Sequence, residues 1–289
     1  MTSPGPISAV PLLRGALQWL FGSLLAISLI GFFLAINGMQ LTSSGTAQRI
    51  LSRATADLTE IDAILPTIQA DLVEVAEASE EDTVIVPHFP MAVELPREEA
   101  ATISTEELRS LLLSEAAEAI YKEGMSVWAL ADPEAEQSID ILSPEGGVHR
   151  GLGFLSDDNH QALRIAAIVL GFISLALAGL FLVSTQGMGR IVALGAALLG
   201  AAVPSLVTAV AVRFAFRTAS EDQEDYLLMR LLDLGNDAAW LTLRNYTILT
   251  LVGLGLVLVG LVLVLLEMRQ RAAPAAPAAP AIGNGPAEA

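Results

Sequence analysis

In this 289-residue chain, the side chains most suited to metal binding or proton transfer belong to three histidines. They are His88, His149 and His160, and Asp157 and Asp158 stand just before the last of them. Imidazole and carboxylate groups bind metal ions, and imidazole titrates near neutral pH, so a metal site or a pH sensor is one interpretation. No two of the histidines are four residues apart, as ligands on one helix face would be. The spacing favours surface loop histidines, and we predict no metal site.

Two other polar groups have simpler interpretations. The acidic residues Glu80–Asp82 lack the alternating oxygen ligands and glycine of a calcium loop, so we interpret them as solvated. Pro204, Ser205 and Thr208 lie within an apolar segment, where they would form either a hinge or pore-lining face or a packed kink. A packed kink is the more common arrangement, and we favour it.

Catalytic chemistry has no support in the sequence. The chain has no cysteine, which excludes disulfides, zinc–thiolate sites and thiol catalysis. It also lacks the nucleophile-elbow, phosphate-loop and zinc-protease motifs. We therefore predict a protein that is not an enzyme, with no catalytic, cofactor-binding or metal-binding residues.

Four apolar segments determine the fold class. Each has the length of a membrane-spanning helix, and none has the polar face of a long helix in a soluble protein. We predict an all-α membrane protein, a four-transmembrane-helix bundle with spans at residues 16–36, 162–184, 191–216 and 246–266. Burial of two segments in a soluble core is the disfavoured alternative.

Small residues recur every fourth position along the third span. One row is Ala193, Ala197, Ala201, Ser205 and Ala209, and a second is Ala196, Gly200, Pro204 and Thr208. Small residues at this spacing let helix backbones approach closely in a membrane. We expect this helix to be the central helix of the bundle, and we expect Gly200→Leu to overpack it.

Residues 37–161, called the insert here, are strongly acidic. Between Leu41 and Gln161 there are 24 Asp and Glu residues against 6 Arg and Lys, a net charge of −18 in a chain whose total is −17. Such a domain repels nucleic acid and anionic lipid, so we predict no nucleic-acid partner. The insert is predicted to be an acidic, mainly helical extracytoplasmic domain.

Helical patterns cover much of the insert. Residues 42–79 have apolar positions three and four apart, with an expected break at Pro66. This stripe would either join two copies as a coiled coil or, as we favour, pack on another helix of the same domain. That helix begins at a capping box of Ser104 and Glu107 and ends near Gly124. We expect a loop at 84–96 and a short strand at 138–142.

One part of the insert resembles a known group. The stretch ISTEELRSLLLSEAAEAIY followed by SIDILSP is similar to the extracytoplasmic insert of uncharacterised four-span bacterial integral membrane proteins. The resemblance covers residues 103–144 and the arrangement of the spans. It implies an architecture, and it implies no functional residues because no activity is known for that group.

The charges flanking the spans predict the orientation. Arg14 precedes the first span, and Arg269 and Arg271 follow the last, which favours a cytoplasmic N-terminus (1–15) and C-terminus in the inner or plasma membrane. Residues 185–190 would form a cytoplasmic turn that makes spans two and three an antiparallel hairpin. Residues 217–245 are predicted to form an interfacial helix, and 267–289 a disordered tail rich in alanine and proline.

Four arginines map to the extracytoplasmic ends of the spans: Arg164, Arg213, Arg217 and Arg244. Such a collar would pair with phosphate headgroups of the bilayer or dock the insert. No Asp, Glu, Lys or His lies at mid-depth in a span, which argues against an ion-coupled pump.

These features together predict a non-catalytic integral membrane protein that acts in anchoring, assembly or sensing through its extracytoplasmic domain. Its partners would be the lipid bilayer and other membrane or extracytoplasmic proteins, or a second copy. The alternative is a channel or transporter subunit. We also expect residues 42–159 to fold when separated from the spans.

Overall fold

Four long helices dominate the computed structural model, which describes residues 9–124, 150–185, 187, 189–221 and 226–272. They are α1 (Ala9–Leu41), α6 (Asp157–Ser184), α7 (Gly189–Glu221) and α8 (Tyr226–Ala272). All four are long and apolar enough to cross a membrane, as predicted. The strand expected at 138–142, His149 and the tail after residue 272 lie outside the described residues.

The first two spans continue beyond their apolar segments. Residues 37–41 of the insert belong to α1, and residues 157–161 belong to α6. Ser156 caps α6, because its hydroxyl accepts a hydrogen bond from the backbone N–H of Asn159 at 3.4 Å. The helices therefore run beyond the predicted spans 16–36 and 162–184, because hydropathy marks the depth of the bilayer and not the end of the hydrogen-bonded helix.

The described residues of 217–245, predicted to form a separate interfacial helix, belong to two long helices. Helix α7 continues to Glu221, and the hydroxyl of Ser220 donates to the Arg217 carbonyl within its last turn. Helix α8 then runs for 47 residues without a break. At 1.5 Å per residue it is about 70 Å long, more than twice the ~30 Å of a bilayer interior. It is therefore longer than a bilayer crossing needs, and its first turns lie beside the insert, at the end of the spans that we call the insert side.

The spans pack as two pairs. Helix α1 packs along α6, and α7 packs along α8, whereas α7 meets α1 over a shorter stretch and barely touches α6. Spans two and three are thus joined by a turn, in which Arg190 Nε donates to the Thr185 carbonyl at 2.9 Å, but they are not a packed hairpin. The prediction of one bundle centred on α7 is not confirmed.

The insert begins with two helices, α2 (Ser44–Thr59) and α3 (Ile61–Ala78). The break between them falls at Glu60, which adopts a left-handed conformation with φ of 47°, and not at Pro66 as expected. Pro66 lies in the second turn of α3. Its ring crowds the carbonyl of Asp62, which lies in the first turn, so the clash falls at the start of the helix and does not divide it.

Helix α5 (Thr105–Glu123) is the partner of α2 and α3. Its capping box is present as predicted, with Ser104 and Glu107 each bonding the other's backbone N–H. Gly124 ends the helix at φ of 79°. The apolar stripe of α2 and α3 is buried against α5, which confirms packing within one domain.

The segment expected to be a loop contains a small β-hairpin. Strand β1 (Thr83–Ile85) pairs antiparallel with β2 (Glu94–Pro96), with Val84 opposite Leu95, and the short helix α4 (Arg97–Ala100) follows. Alternate residues, namely Val84, Val86, Val93 and Leu95, are buried against α3 and α5. Burial of every second residue is typical of a β-strand, and the three prolines of the segment obscured this pattern in the sequence.

The insert has two hydrophobic cores. The distal core joins α3, the hairpin, α4 and the first half of α5. The proximal core joins α2, the second half of α5 and the buried Leu152 and Leu155, and it also includes Leu41 from α1 and Leu234 from α8. The half of the insert nearest the membrane is therefore packed together with the ends of the spans.

Candidate functional site

A buried polar junction connects the insert to the spans. It consists of Met39, Thr42, Tyr121, Asp157 and His160. Thr42 is fully buried just after α1, and the Tyr121 hydroxyl from the end of α5 lies 3.2 Å from its carbonyl oxygen. The same hydroxyl lies 3.3 Å from Asp157 Oδ1 in the first turn of α6. One phenol proton is thus shared between acceptors on two different elements.

His160 forms the second half of the junction. Its Nδ1 donates to the Met39 carbonyl at 3.1 Å and lies 3.3 Å from Thr42 Oγ1. A carbonyl oxygen only accepts, so Nδ1 must carry the proton. Thr42 Oγ1 donates in turn to the Gly38 carbonyl at 2.9 Å. The ends of α1 and α6 are therefore held together by hydrogen bonds.

The environment of Tyr121 keeps it a hydrogen-bond donor. Burial raises the pKa of its phenol above the ordinary value, and the charge of Asp157 and the hydrogen bond to it raise the pKa further. The hydroxyl therefore stays protonated throughout the neutral range. The junction is suited to fixing the relative positions of α1, α5 and α6.

The surface of α5 carries ordinary ion contacts. Arg109 Nε donates to Asp62 Oδ1 at 2.6 Å, and this hydrogen bond lowers the pKa of the Asp62 carboxyl. The hydrogen bonds from the side chain and backbone of Ser104 lower the pKa of Glu107. Exposed pairs of this kind contribute little to stability, and they indicate no reactive group.

The structure does not bring the described histidines together. His88 lies between β1 and β2 with φ of 58°, and its Nε2 is 3.2 Å from Asp71 Oδ2. His160 lies in the junction, and Asp158 heads α6. The described residues contain no group of three or more His, Cys, Asp or Glu placed to hold a metal ion. The acidic residues Glu80–Asp82 are exposed.

Amide side chains connect α1 to α8 near the insert side. Asn245 Nδ2 donates to Asn37 Oδ1 at 2.6 Å and to Gln40 Oε1 at 2.7 Å. Closer to the middle of the membrane, Ser28 of α1 and Ser174 of α6 are both buried, with their hydroxyls 2.8 Å apart. Neither contact is predicted by the sequence. Polar residues inside or just after the apolar segments are the signal, but their pairing requires the helix arrangement.

On the Pro204 face, Pro204 and Thr208 are exposed and α7 continues through the proline. Ser205 Oγ donates to the Ala201 carbonyl at 2.9 Å and Thr208 Oγ1 to the Pro204 carbonyl at 3.0 Å, so both hydroxyls serve their own helix. Together with Ile30 and Leu34 they line a largely apolar groove of about 340 Å³. Tyr246 also lines the groove, and its buried hydroxyl has no hydrogen-bond partner among the described residues.

The predicted collar of arginines does not act as one group. Arg213 Nε donates to Asn236 Oδ1 at 3.2 Å, and its guanidinium lies 4.6 Å from the centre of the Trp240 ring. Arg217 pairs with Glu221 within α7, and Arg164 is exposed on α6. Arg244 instead lines a cleft with Arg49 and Arg53 of the insert.

No family model matches this chain, and neither a curated protein nor a solved structure does so. The resemblance of residues 103–144 to uncharacterised four-span bacterial membrane proteins therefore remains a hypothesis.

Proposed function

We propose that this protein is a non-catalytic, multi-pass protein of an inner or plasma membrane, with both termini cytoplasmic. In this proposal the insert faces outward and serves in sensing or assembly, and its position is mechanically linked to the spans. Its partners are the bilayer and either other membrane or extracytoplasmic proteins or a second copy of the chain.

The shared junction is the observation that supports this function most directly. Thr42, Tyr121 and His160 bond residues from α1, α5 and α6 to one another, with Thr42 and Tyr121 buried and the other members half-buried. Leu41 and Leu234 complete the same unit from the apolar side. A domain that is only tethered needs no such contact, because a polar linker would suffice. A domain whose movement must reach the spans requires a rigid connection.

The junction also changes the expectation that residues 42–159 fold alone. The distal core is built from the insert itself, but the proximal core would lose Leu41 and Leu234. Tyr121 would keep Asp157 and Thr42 in that fragment, whereas His160 and Met39 would be absent. We therefore test the proposal in the full chain.

Electron–electron double resonance in lipid nanodiscs tests the rigid connection. The chain has no cysteine, so spin labels attach only where cysteines are introduced, at exposed Ser110 on α5 and lipid-facing Leu258 on α8. We expect one narrow distance distribution. It should broaden when Tyr121→Phe is combined with Thr42→Val, and stay narrow in Ser114→Ala, which removes an exposed hydroxyl from the same helix. Circular dichroism checks that the helices persist. A broad distribution in the parent chain would overturn the proposal.

Two further measurements address orientation and the channel alternative. A cysteine at Ser79 should react with an impermeant maleimide on intact cells, and reaction only after lysis would contradict an outward insert. Liposomes containing the full chain should show no more ion or solute leakage than empty liposomes. Selective flux would replace the sensing proposal with the alternative, a channel or transporter subunit.

A further inference from the structure

A cleft at the membrane boundary concentrates positive charge in an otherwise acidic protein. It lies between α2 and α8, has a volume of about 340 Å³ and is lined by Arg49, Arg53 and Arg244. Among the described residues, Asp237 is the one carboxylate in its lining. Three guanidinium groups against one carboxylate leave a local charge of +2, whereas Leu41–Gln161 as a whole carries −18.

Two of the three guanidinium groups of this cleft, those of Arg49 and Arg244, have no acidic partner among the described residues. Arg49 Nε donates to the Gly45 carbonyl of its own helix at 2.8 Å, and Arg53 lies 3.7 Å from Asp237 Oδ2. Within the part of the chain that the structure describes, neither Arg49 nor Arg244 forms a salt bridge. Planar guanidinium groups bind phosphate oxygens in pairs, so converging arginines without acidic partners are suited to a phosphate group.

The rest of the lining is apolar and lies level with the ends of the spans. Leu41 is the last residue of α1, and Leu241 and Trp240 lie on α8 one turn from Arg244. Directly beyond Arg244, Asn245 bonds α8 to α1. Trp240 has Arg213 over its ring and is half exposed, as expected for an aromatic residue at the membrane interface. A ligand here would have a phosphate group and an apolar portion.

We propose that the cleft binds the headgroup of an anionic phospholipid from the insert-side leaflet. The phosphate contacts Arg49, Arg53 and Arg244, and the start of an acyl chain lies against Leu41 and Leu241. A soluble phosphate compound would satisfy the arginines but would leave this apolar wall unused, which is why we assign a lipid. Because α2 belongs to the insert and α8 to the spans, the lipid bridges the two. This inference is independent of the sensing role proposed above.

Fluorescence quenching of Trp240 tests the site. Trp19→Phe and Trp128→Phe leave Trp240 as the only tryptophan of the full chain. This parent protein is reconstituted in phosphatidylcholine vesicles that contain the same fraction of either brominated phosphatidylglycerol or brominated phosphatidylcholine. We expect the anionic lipid to quench Trp240 at least twofold more strongly. In Arg49→Gln/Arg244→Gln the two lipids should quench equally.

Three comparisons make the result specific. Arg164→Gln removes a charge from α6, outside the cleft, and should preserve the preference for the anionic lipid. Arg49→Lys/Arg244→Lys keeps the positive charges but replaces the planar guanidinium groups, which bind phosphate through two N–H donors. It should retain part of the preference for the anionic lipid. If glutamine substitution disturbs folding, as circular dichroism would show, this lysine variant still tests the cleft, and a preference equal to the parent's would contradict the proposal.

The remaining outcomes would each overturn the proposal. Equal quenching by the two lipids in the parent protein would mean that the cleft does not select an anionic headgroup. An undiminished preference in Arg49→Gln/Arg244→Gln would place any such selection elsewhere. Saturable changes in Trp240 emission on adding inorganic phosphate to the protein in detergent, with loss of the lipid preference in its presence, would identify a soluble anion as the ligand.

Discussion

The two pairs of spans use glycine in opposite ways. Between α7 and α8, a Cβ atom added to Gly195 would lie 2.8 Å from the backbone nitrogen of Val257 and 2.9 Å from the Gly253 carbonyl oxygen. One added to Gly260 would lie 2.8 Å from the Val192 nitrogen. Between α1 and α6, the space beside Gly171 is instead occupied by the Phe32 ring, at 3.1 Å. The α7/α8 pair thus has backbone contacts at Gly195 and Gly260 in addition to the Phe216 ring against Gly235, whereas the glycines between α1 and α6 meet side chains alone.

This difference determines which pair can adapt. Lipid solvates apolar side chains as well as another helix does, so membrane helices associate through close packing and polar contacts. Backbone atoms in a hydrogen-bonded helix cannot move aside, whereas a phenylalanine ring can rotate. The α1/α6 pair is also held by the hydrogen bond between Ser28 and Ser174, which remains when packing at a glycine changes. We therefore expect α7/α8 to be the rigid pair and α1/α6 the adaptable one.

Gly195→Ala should show the largest effect. The added methyl group meets backbone atoms on α8 below 3 Å, so the helices must separate along their contact. We expect a loss of about 1–3 kcal/mol, as for an overpacked core. The measurement is unfolding of the full chain in bicelles by increasing dodecyl sulfate, followed by circular dichroism.

Gly255→Ala is the matched control for that variant. It lies on α8, where an added Cβ has no atom within 4 Å, and it should be neutral or slightly stabilising because alanine is the better helix former. Similar destabilisation by both substitutions would remove the basis for distinguishing the two pairs.

The sequence allowed the spans to be predicted but not their pairing. Hydropathy located all four long helices, because twenty apolar residues have few other stable environments. The members of the row from Ala193 to Ala209 are buried or half-buried, but Ala193 and Ala197 line a groove towards α1 and do not form the centre of a single bundle. The face of α7 that meets α8 instead holds Val192, Gly195 and Leu199. It packs at Gly253 and Gly260 of α8, and nothing in a single sequence connects these glycines to Gly195.

The junction was beyond sequence reasoning for a related reason. Thr42, Tyr121 and His160 are spread over nearly 120 residues, and each is unremarkable in its own segment. His160 was recognised for its chemistry, but the structure places it against the Met39 carbonyl and the Thr42 hydroxyl and in no metal-binding group. Local signals such as the Ser104 capping box were predictable because all of their partners lie within one turn of helix.

Gly171→Ala should have an intermediate effect. The new methyl group would approach the Phe32 ring at 3.1 Å, and the ring can tilt away. We expect a loss of less than about 1 kcal/mol, since the strain is relieved by one side-chain rotation. Combining it with Phe32→Leu in a double-mutant cycle should give a favourable coupling energy, measured by the same unfolding assay. An effect as large as that of Gly195→Ala would show that α1/α6 is equally rigid.

Gly200→Leu should have the smallest effect, although the small-residue pattern alone predicts overpacking there. Gly200 belongs to the second row of α7, whose members are exposed, and the nearest atom to an added Cβ is that of Ala26 at 4.0 Å. It lines a groove of about 450 Å³ between α1 and α7, which has room for a leucine side chain. We expect a change within about 0.5 kcal/mol in the unfolding assay, as for a substitution at an accommodating surface. A loss comparable to that of Gly195→Ala would mean that α1 closes onto α7 in the bilayer, and the four spans would then form one bundle around α7 after all.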